Sequence, residues 1–199
     1  VLKGWLSQPP SPGRDASREP ADGVPAGLAV DTDLRWHLVQ SLVAAGALGP
    51  DTIDAESRRD ATASGRVQAL HATALVPTAE AKAETWRRLT EDTSLPNSQL
   101  RALAHGFQHP LHVELIAPYA DRYFQSLPEL WAEWDGDLAR AFAIMLYPAY
   151  QVSERTVATT DAWLADESHP ASLRRLVAEG RDGVVRALAA RARDTAALP

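Results

Sequence analysis

The stretch LPNSQLRALAHGFQHPLHVELIAPYADRYF, residues 95–124, decides the fold class of this chain. Its first apolar residues recur at the spacing of one helix face: Leu100, Leu103, Ala104 and Phe107. Asn97 is a predicted N-cap for this helix, and Pro110 ends it because the residue before a proline is pushed out of the α region. A second, Pro-interrupted helix follows, and Phe107 is predicted to be buried between the two.

The rest of the 199 residues shows the same helical pattern. Alanine and leucine are abundant, and no short segment alternates strictly between apolar and polar residues, so a sheet has little to build from. Caps and prolines divide the chain into about nine to eleven helices joined by short turns. Short turns favour antiparallel neighbours. The predicted fold is therefore all-α, with antiparallel helical pairs stacked as a HEAT-like or armadillo-like superhelical bowl.

Several helix boundaries are predicted from local signals. Asp31 or Asp33 caps a helix that carries Trp36. The capping box at residues 126–129, Ser-Leu-Pro-Glu, predicts a new helix from Leu130 to Tyr147. Gly180 is expected to divide the last helical region, because glycine weakens a helix interior.

The chain divides into two parts by composition. Residues 7–26 hold five of the 14 prolines among Ser, Gly, Asp and Arg, a composition that buries too little apolar surface to order itself. Residues 1–26 are interpreted as the end of a preceding helix followed by a variable Pro-rich loop. Residues 27–199 are interpreted as one helical-repeat domain.

Charge and composition exclude several classes of partner. The net charge is −6 and the arginines are interleaved with acidic residues, so there is no basic field for a nucleic acid. The chain has no cysteine, which excludes disulfides and thiolate metal sites. Its apolar runs fall short of the roughly 18–20 residues of a membrane span. These features predict a soluble, cytoplasmic protein without a nucleic-acid or membrane partner.

A cluster of histidines lies at the predicted helix corner. His105 and His109 have the i, i+4 spacing of a helical metal pair, and His112 follows. Residue 106 is glycine rather than glutamate, and Pro110 ends the helix beside the second imidazole, so no metal site is predicted. The histidines are interpreted as a solvent-accessible corner, with His105 and His109 as candidates for contact with another domain.

Three arginines are candidates for substrate contact. Arg101, Arg122 and Arg140 would each be able to hold a peptide carboxylate through two parallel hydrogen bonds if they faced the inside of a helical bowl. The alternative is an ordinary surface arginine beside an Asp or Glu. Acidic pairs such as Asp135 and Asp137 are interpreted as helix caps rather than catalytic carboxylates.

Other residue types give no catalytic pattern. No serine stands in a G-x-S-x-G context, so the sequence does not predict a hydrolase on this chain alone. Four of the six tryptophans fall on apolar helix faces and are predicted to belong to the core: Trp36, Trp86, Trp131 and Trp134.

Five ordered segments resemble one known family. They are GLAVDTDLRW (residues 27–36), PTAEAKAETW (77–86), LPNSQLRALAHGFQHP (95–110), LIAPYADRYF (115–124) and LRRLVAEGRDGVVRAL (173–188). Together they resemble the C-terminal helical region of bacterial aminopeptidase N, the family of zinc-dependent alanyl aminopeptidases. The resemblance runs from about residue 27 to residue 193, and residues 7–26 depart from it as a variable insert.

The resemblance implies a function carried mostly by a parent protein. Members of the family contain a G-x-M-E-N motif and a zinc-binding H-E-x-x-H helix, and this sequence contains neither. It would be the non-catalytic C-terminal domain, which caps the catalytic domain of the same polypeptide and controls peptide access to zinc. No catalytic residue and no cofactor are expected here, and zinc belongs to the parent's catalytic domain. The alternative is a free-standing helical-repeat scaffold that binds a protein or peptide.

Overall fold

The computed structural model describes residues 2–6 and 30–197, and every regular element in these ranges is a helix. The helices are α1 (Leu2–Leu6), α2 (Thr32–Ala44), α3 (Pro50–Arg59), α4 (Ala63–Ala74), α5 (Ala79–Glu91), α6 (Asn97–Phe107), a 3₁₀ turn (Pro110–His112), α7 (Val113–Ile116), α8 (Tyr119–Glu133), α9 (Gly136–Met145), α10 (Glu154–Leu164) and α11 (Ala171–Ala197). The all-α prediction is confirmed. The proposed variable loop, residues 7–26, lies outside the described residues.

Side-chain caps set several of the helix starts. The carboxylate of Asp31 accepts a hydrogen bond of 2.8 Å from the backbone N–H of Leu34, so Asp31 rather than Asp33 caps α2. The side chains of Thr62, Thr78 and Ser153 cap α4, α5 and α10 in the same way. Each cap satisfies one of the amide groups that the first turn of a helix leaves without a partner.

The predicted break at residues 126–129 is wrong. Helix α8 continues through Pro128 and ends at Glu133, and α9 starts after Asp135, whose side chain accepts from the N–H of Asp137 at 3.0 Å. Proline removes one backbone hydrogen bond inside a helix. The buried face of α8 is nevertheless unbroken on both sides of Pro128, which favours one continuous helix: Tyr119, Tyr123, Phe124, Leu127 and Leu130.

Three further local predictions are corrected. Gly180 does not divide α11, because it lies against Tyr147, where a Cβ atom at position 180 would be only 2.6 Å from the ring. Asn97 is the first residue of α6 and not its cap; its side-chain oxygen accepts from Nε of Arg101 at 2.8 Å. The second helix predicted after Pro110 begins instead with the 3₁₀ turn Pro110–His112, in which Leu111 is 68% exposed.

The apolar residues form two separate cores. The larger core is built around α5, α6, α8, α9 and α11 and includes Ala74 of α4, whereas the smaller one is built around α2 and α3 with Ala72 and Leu75 at the end of α4. Phe107 is 1% exposed in the larger core, with ring centroids 5.6 Å from Trp86 and 5.1 Å from Tyr119, which confirms its predicted burial. Trp36 is buried in the smaller core, and Trp131 and Trp134 pack partly buried against the larger one.

Neighbouring helices pack on each other along much of the chain. Contacts join α3 to α4, α8 to α9 and α10 to α11, and α4 packs closely on α6. A Cβ atom at Gly106 of α6 would lie 2.4 Å from the carbonyl oxygen of His71 on α4, so the glycine permits this approach. The pairing is compatible with stacked helical pairs, and the superhelical bowl stays a prediction. None of the described helices combines the length and apolarity that a membrane crossing requires.

Candidate functional site

The three candidate arginines lie on three different helices and are all exposed. Nε of Arg101 donates to Asn97 on α6, and another of its guanidinium nitrogens lies 3.9 Å from the sulfur of Met145. The guanidinium of Arg122 stands 5.1 Å from the centre of the Tyr119 ring. Within residues 2–6 and 30–197, no ion pair joins Arg101, Arg122 or Arg140 to a carboxylate, and no hydrogen bond joins any two of them.

The candidate histidines have different environments. His105 is exposed on α6, and its ring meets that of His71 edge-on at 5.6 Å. His109 is half-buried; its Nδ1 accepts from the N–H of Leu111 at 3.3 Å and so caps the 3₁₀ turn. Burial, followed by the nearby charges of His112 and Lys82, lowers the pKa of His109.

His112 does not lie at a solvent-accessible corner as predicted. It is buried, and its Nε2 lies 2.9 Å from the carbonyl oxygen of Ala44 at the end of α2. A carbonyl can only accept, so Nε2 carries the hydrogen and Nδ1 is the bare nitrogen of the neutral ring. His112 therefore connects the turn after α6 to the smaller core.

A buried lysine is the main polar residue that the sequence reading did not identify. Lys82 is 0% exposed, and its ammonium donates to the carbonyls of Ala74, Gly106 and Phe107 at 2.6, 3.1 and 3.3 Å. It thereby satisfies carbonyls at the C-terminal ends of both α4 and α6. Burial lowers its pKa to about 8. A signal was present in the sequence, since Lys82 shares the i, i+4, i+7 face of Trp86 and Leu89.

A buried ion pair was also missed. Two nitrogens of the Arg35 guanidinium donate to the two carboxylate oxygens of Glu56 at 2.8 and 2.7 Å, and a third nitrogen donates to the carbonyl of Leu6 at 2.9 Å. This pair joins α2 to α3 and holds the end of α1. Its residues are 21 positions apart in the chain, so no local pattern marks it.

A groove runs between the start of α8 and the start of α10. It encloses about 260 Å³, and its lining includes Pro118, Phe124, Ser153 and Thr156. Arg155 and Asp121 line it as well, and they form an exposed ion pair of 2.8 Å. Because exposed pairs contribute only about 0–1 kcal/mol, a ligand with its own charges would open this pair at small cost.

His105, His109 and His112 do not fit a zinc site. His112 uses Nε2 for Ala44, Nδ1 of His109 is engaged by Leu111, and His105 faces His71. A zinc ion needs three or four donor atoms converging at about 2.0–2.3 Å. Among the described residues, no group of three or more His, Cys, Asp or Glu side chains is arranged to hold a metal.

Comparison with known proteins identifies the family of this chain. Residues 14–186 match the family described as "ERAP1-like C-terminal domain". The chain belongs to this family. Aminopeptidase N of Streptomyces lividans is 48% identical to it over 171 residues, which are 86% of this chain and 20% of that protein. The resemblance to the C-terminal domain of aminopeptidase N is thus confirmed, and the chain spans one fifth of the length of that relative.

Proposed function

We propose that this domain caps the catalytic domain of a zinc aminopeptidase and limits the access of peptides to the zinc ion. The observation that carries the proposal is the match of nearly the whole chain to one fifth of an aminopeptidase N. The sequence itself has neither an H-E-x-x-H nor a G-x-M-E-N motif, so the chemistry is assigned to the rest of the polypeptide. The domain contributes selection of peptides rather than bond cleavage.

Exposed arginines are proposed to contact peptide substrates from this domain. Arg101, Arg122 and Arg140 are exposed and form no ion pair with a carboxylate in the described part of the chain, which supports a contact with the carboxylate of a bound peptide. His105, exposed, and His109, half-buried, are proposed to contact the catalytic domain. Together these contacts would orient the helical bowl over the zinc site.

The proposal is tested on the full-length parent enzyme. Deleting residues 27–199 is expected to leave zinc bound but to expose the apolar surface docked on this domain, with lower solubility or lost discrimination by peptide length. Zinc content, solubility and the ratio of kcat/KM for long and short peptides are the measurements. A truncated enzyme that is soluble and still rejects long peptides would overturn the access role and favour the scaffold alternative.

Single substitutions in the full-length parent enzyme test the proposed arginine contacts. Arg101→Gln, Arg122→Gln and Arg140→Gln are expected to raise KM for peptides long enough to reach the domain and to leave KM for a dipeptide unchanged. Arg87→Gln is the matched control, because Arg87 is also exposed but already paired with Glu84 at 2.7 Å. An identical response of all four variants would exclude a specific carboxylate contact.

A further inference from the structure

The two cores of the domain meet at a cluster of basic side chains, which we name the histidine junction: His71, His105, His109, His112 and Lys82. Lys82 from α5 joins the ends of α4 and α6, and His112 reaches Ala44 at the end of α2. Lys82 lies within α5 and His112 lies in the turn after α6, and both helices belong to the larger core, whereas Ala44 belongs to the smaller core. The junction therefore holds the smaller core on the larger one.

All titratable groups that face each other in the junction are bases. The ring of His109 lies 5.0 Å from that of His112, and the charge of Lys82 acts on both. His71 from α4 meets His105 from α6 and is also influenced by His109. In the described part of the chain, none of the five forms an ion pair with a carboxylate, so added positive charge has no neutralising partner.

A second proton on His112 has no acceptor. Nε2 already donates to Ala44, and the buried Nδ1 has no hydrogen-bond partner among the described residues. Protonation would place an N–H and a full charge there, beside Lys82. The Ala44 carbonyl favours the charged ring, but burial opposes it more strongly and the pKa of His112 is lowered. Burial also lowers the pKa of His71, to about 4.

We propose that the histidine junction is an acid-sensitive joint, in which proton uptake on mild acidification separates α2 and α3, which carry most of the smaller core, from the larger core. The direction of this pH effect follows from which state, open or closed, binds more protons. An unfolded histidine binds its proton near pH 6.5, whereas the folded junction resists it, so the open state takes up protons that the closed state does not. The closed state therefore has its full stability above about pH 6.5 and loses stability as the pH falls below this value.

The test uses hydrogen exchange and thermal unfolding of the 199-residue chain between about pH 7.5 and about pH 5, the range in which histidine titrates. The measured rates are first corrected for the intrinsic pH dependence of amide exchange. The opening constant of α2 and α3 amides is then expected to rise about tenfold for each pH unit of acidification and each proton taken up. His112→Gln, which keeps an amide donor for Ala44 but cannot titrate, should reduce this slope.

His37→Gln is the matched control, since His37 is exposed on α2 and should leave the slope unchanged. An equal slope in wild type and His112→Gln, or an equal loss of slope in both variants, would overturn the proposal. If His112→Gln does not fold, an NMR titration of the imidazole resonances in the wild-type chain tests the proposal instead. A His112 resonance that titrates at or above its unfolded value of 6.5 while the chain stays folded contradicts the joint, and one that titrates below it supports it.

Discussion

Lys82 shows how one side chain closes the ends of two helices. Its ammonium bonds carbonyls that water or a glycine cap satisfies at many helix C-termini, and it does so in the interior, over the Phe107 ring at 5.7 Å from the centroid. A buried ammonium without a counter-charge is expensive to desolvate, and here three carbonyl dipoles and the Phe107 ring compensate it. At Lys82, the burial of the side chain therefore opposes the hydration of its charge.

Replacing Lys82 by methionine is expected to destabilise the domain at neutral pH. Methionine fills the same space but leaves the carbonyls of Ala74, Gly106 and Phe107 without their donor, at a cost of about 1–3 kcal/mol for buried acceptors left unsatisfied. Urea unfolding at pH 7 measures the change. Lys3→Met, at the other lysine of the sequence, which is exposed, is the control and should have little effect.

Lys82→Met is also expected to change how the free energy of unfolding depends on pH. The folded chain releases the Lys82 proton near pH 8 and the unfolded chain near 10.5, so between these values the unfolded state binds more protons and stability rises with pH. This rise should vanish in Lys82→Met and persist in Lys3→Met. An unchanged alkaline slope in Lys82→Met would show that Lys82 is not desolvated in the folded state.

At the scale of elements, the helices are continuous where their buried faces are continuous. Helix α8 passes through Pro128 and α11 through Gly180 because the apolar face on either side packs on the same core. Gly180 has an additional role, since α11 approaches the Tyr147 ring at this residue. Tyr147 is buried and its hydroxyl lies 3.0 Å from the hydroxyl of Thr160, which fixes the ring in place.

Two glycines of α11 are expected to respond oppositely to alanine. Gly180→Ala places a Cβ atom 2.6–2.8 Å from three ring atoms of Tyr147, and overpacking of this kind costs about 1–3 kcal/mol. Gly183→Ala meets nothing within 4 Å and should stabilise the helix by about 0.5–1 kcal/mol. Thermal unfolding of both variants is the measurement. A Gly180→Ala protein as stable as Gly183→Ala would mean that α11 does not contact Tyr147 at this point.

At the scale of the whole molecule, two cores of unequal size imply unequal local stability. The smaller core holds few fully buried apolar side chains, whereas the larger one includes most of the buried aromatic rings. Opening free energies follow the buried apolar surface of each unit. The part of the domain around α2 and α3 is therefore expected to open before the part around α6, α8 and α9.

Truncation of Ile53 tests this difference. Ile53 is 3% exposed in the smaller core, and Ile53→Ala should lower the opening free energy of α2–α4 amides by about 2–5 kcal/mol while leaving α8 and α9 amides protected. Native-state hydrogen exchange resolves the two regions. Ile144→Ala, at a side chain that is 50% exposed, is the control. Equal loss of protection in both regions would show a single cooperative unit.

The sequence by itself determined the all-α class, a cap at Asp31 or Asp33, a cap at the acidic pair Asp135 and Asp137, the burial of Phe107 and the family. These rest on interactions within a few residues, which spacing along the chain records directly. Tertiary structure alone decided the contacts of Lys82 with Gly106 and Phe107, the burial of His112 and the pairing of Arg35 with Glu56. Each of these depends on partners that lie far away in sequence, and the free energy of packing them outweighs the local preferences that a single stretch can express.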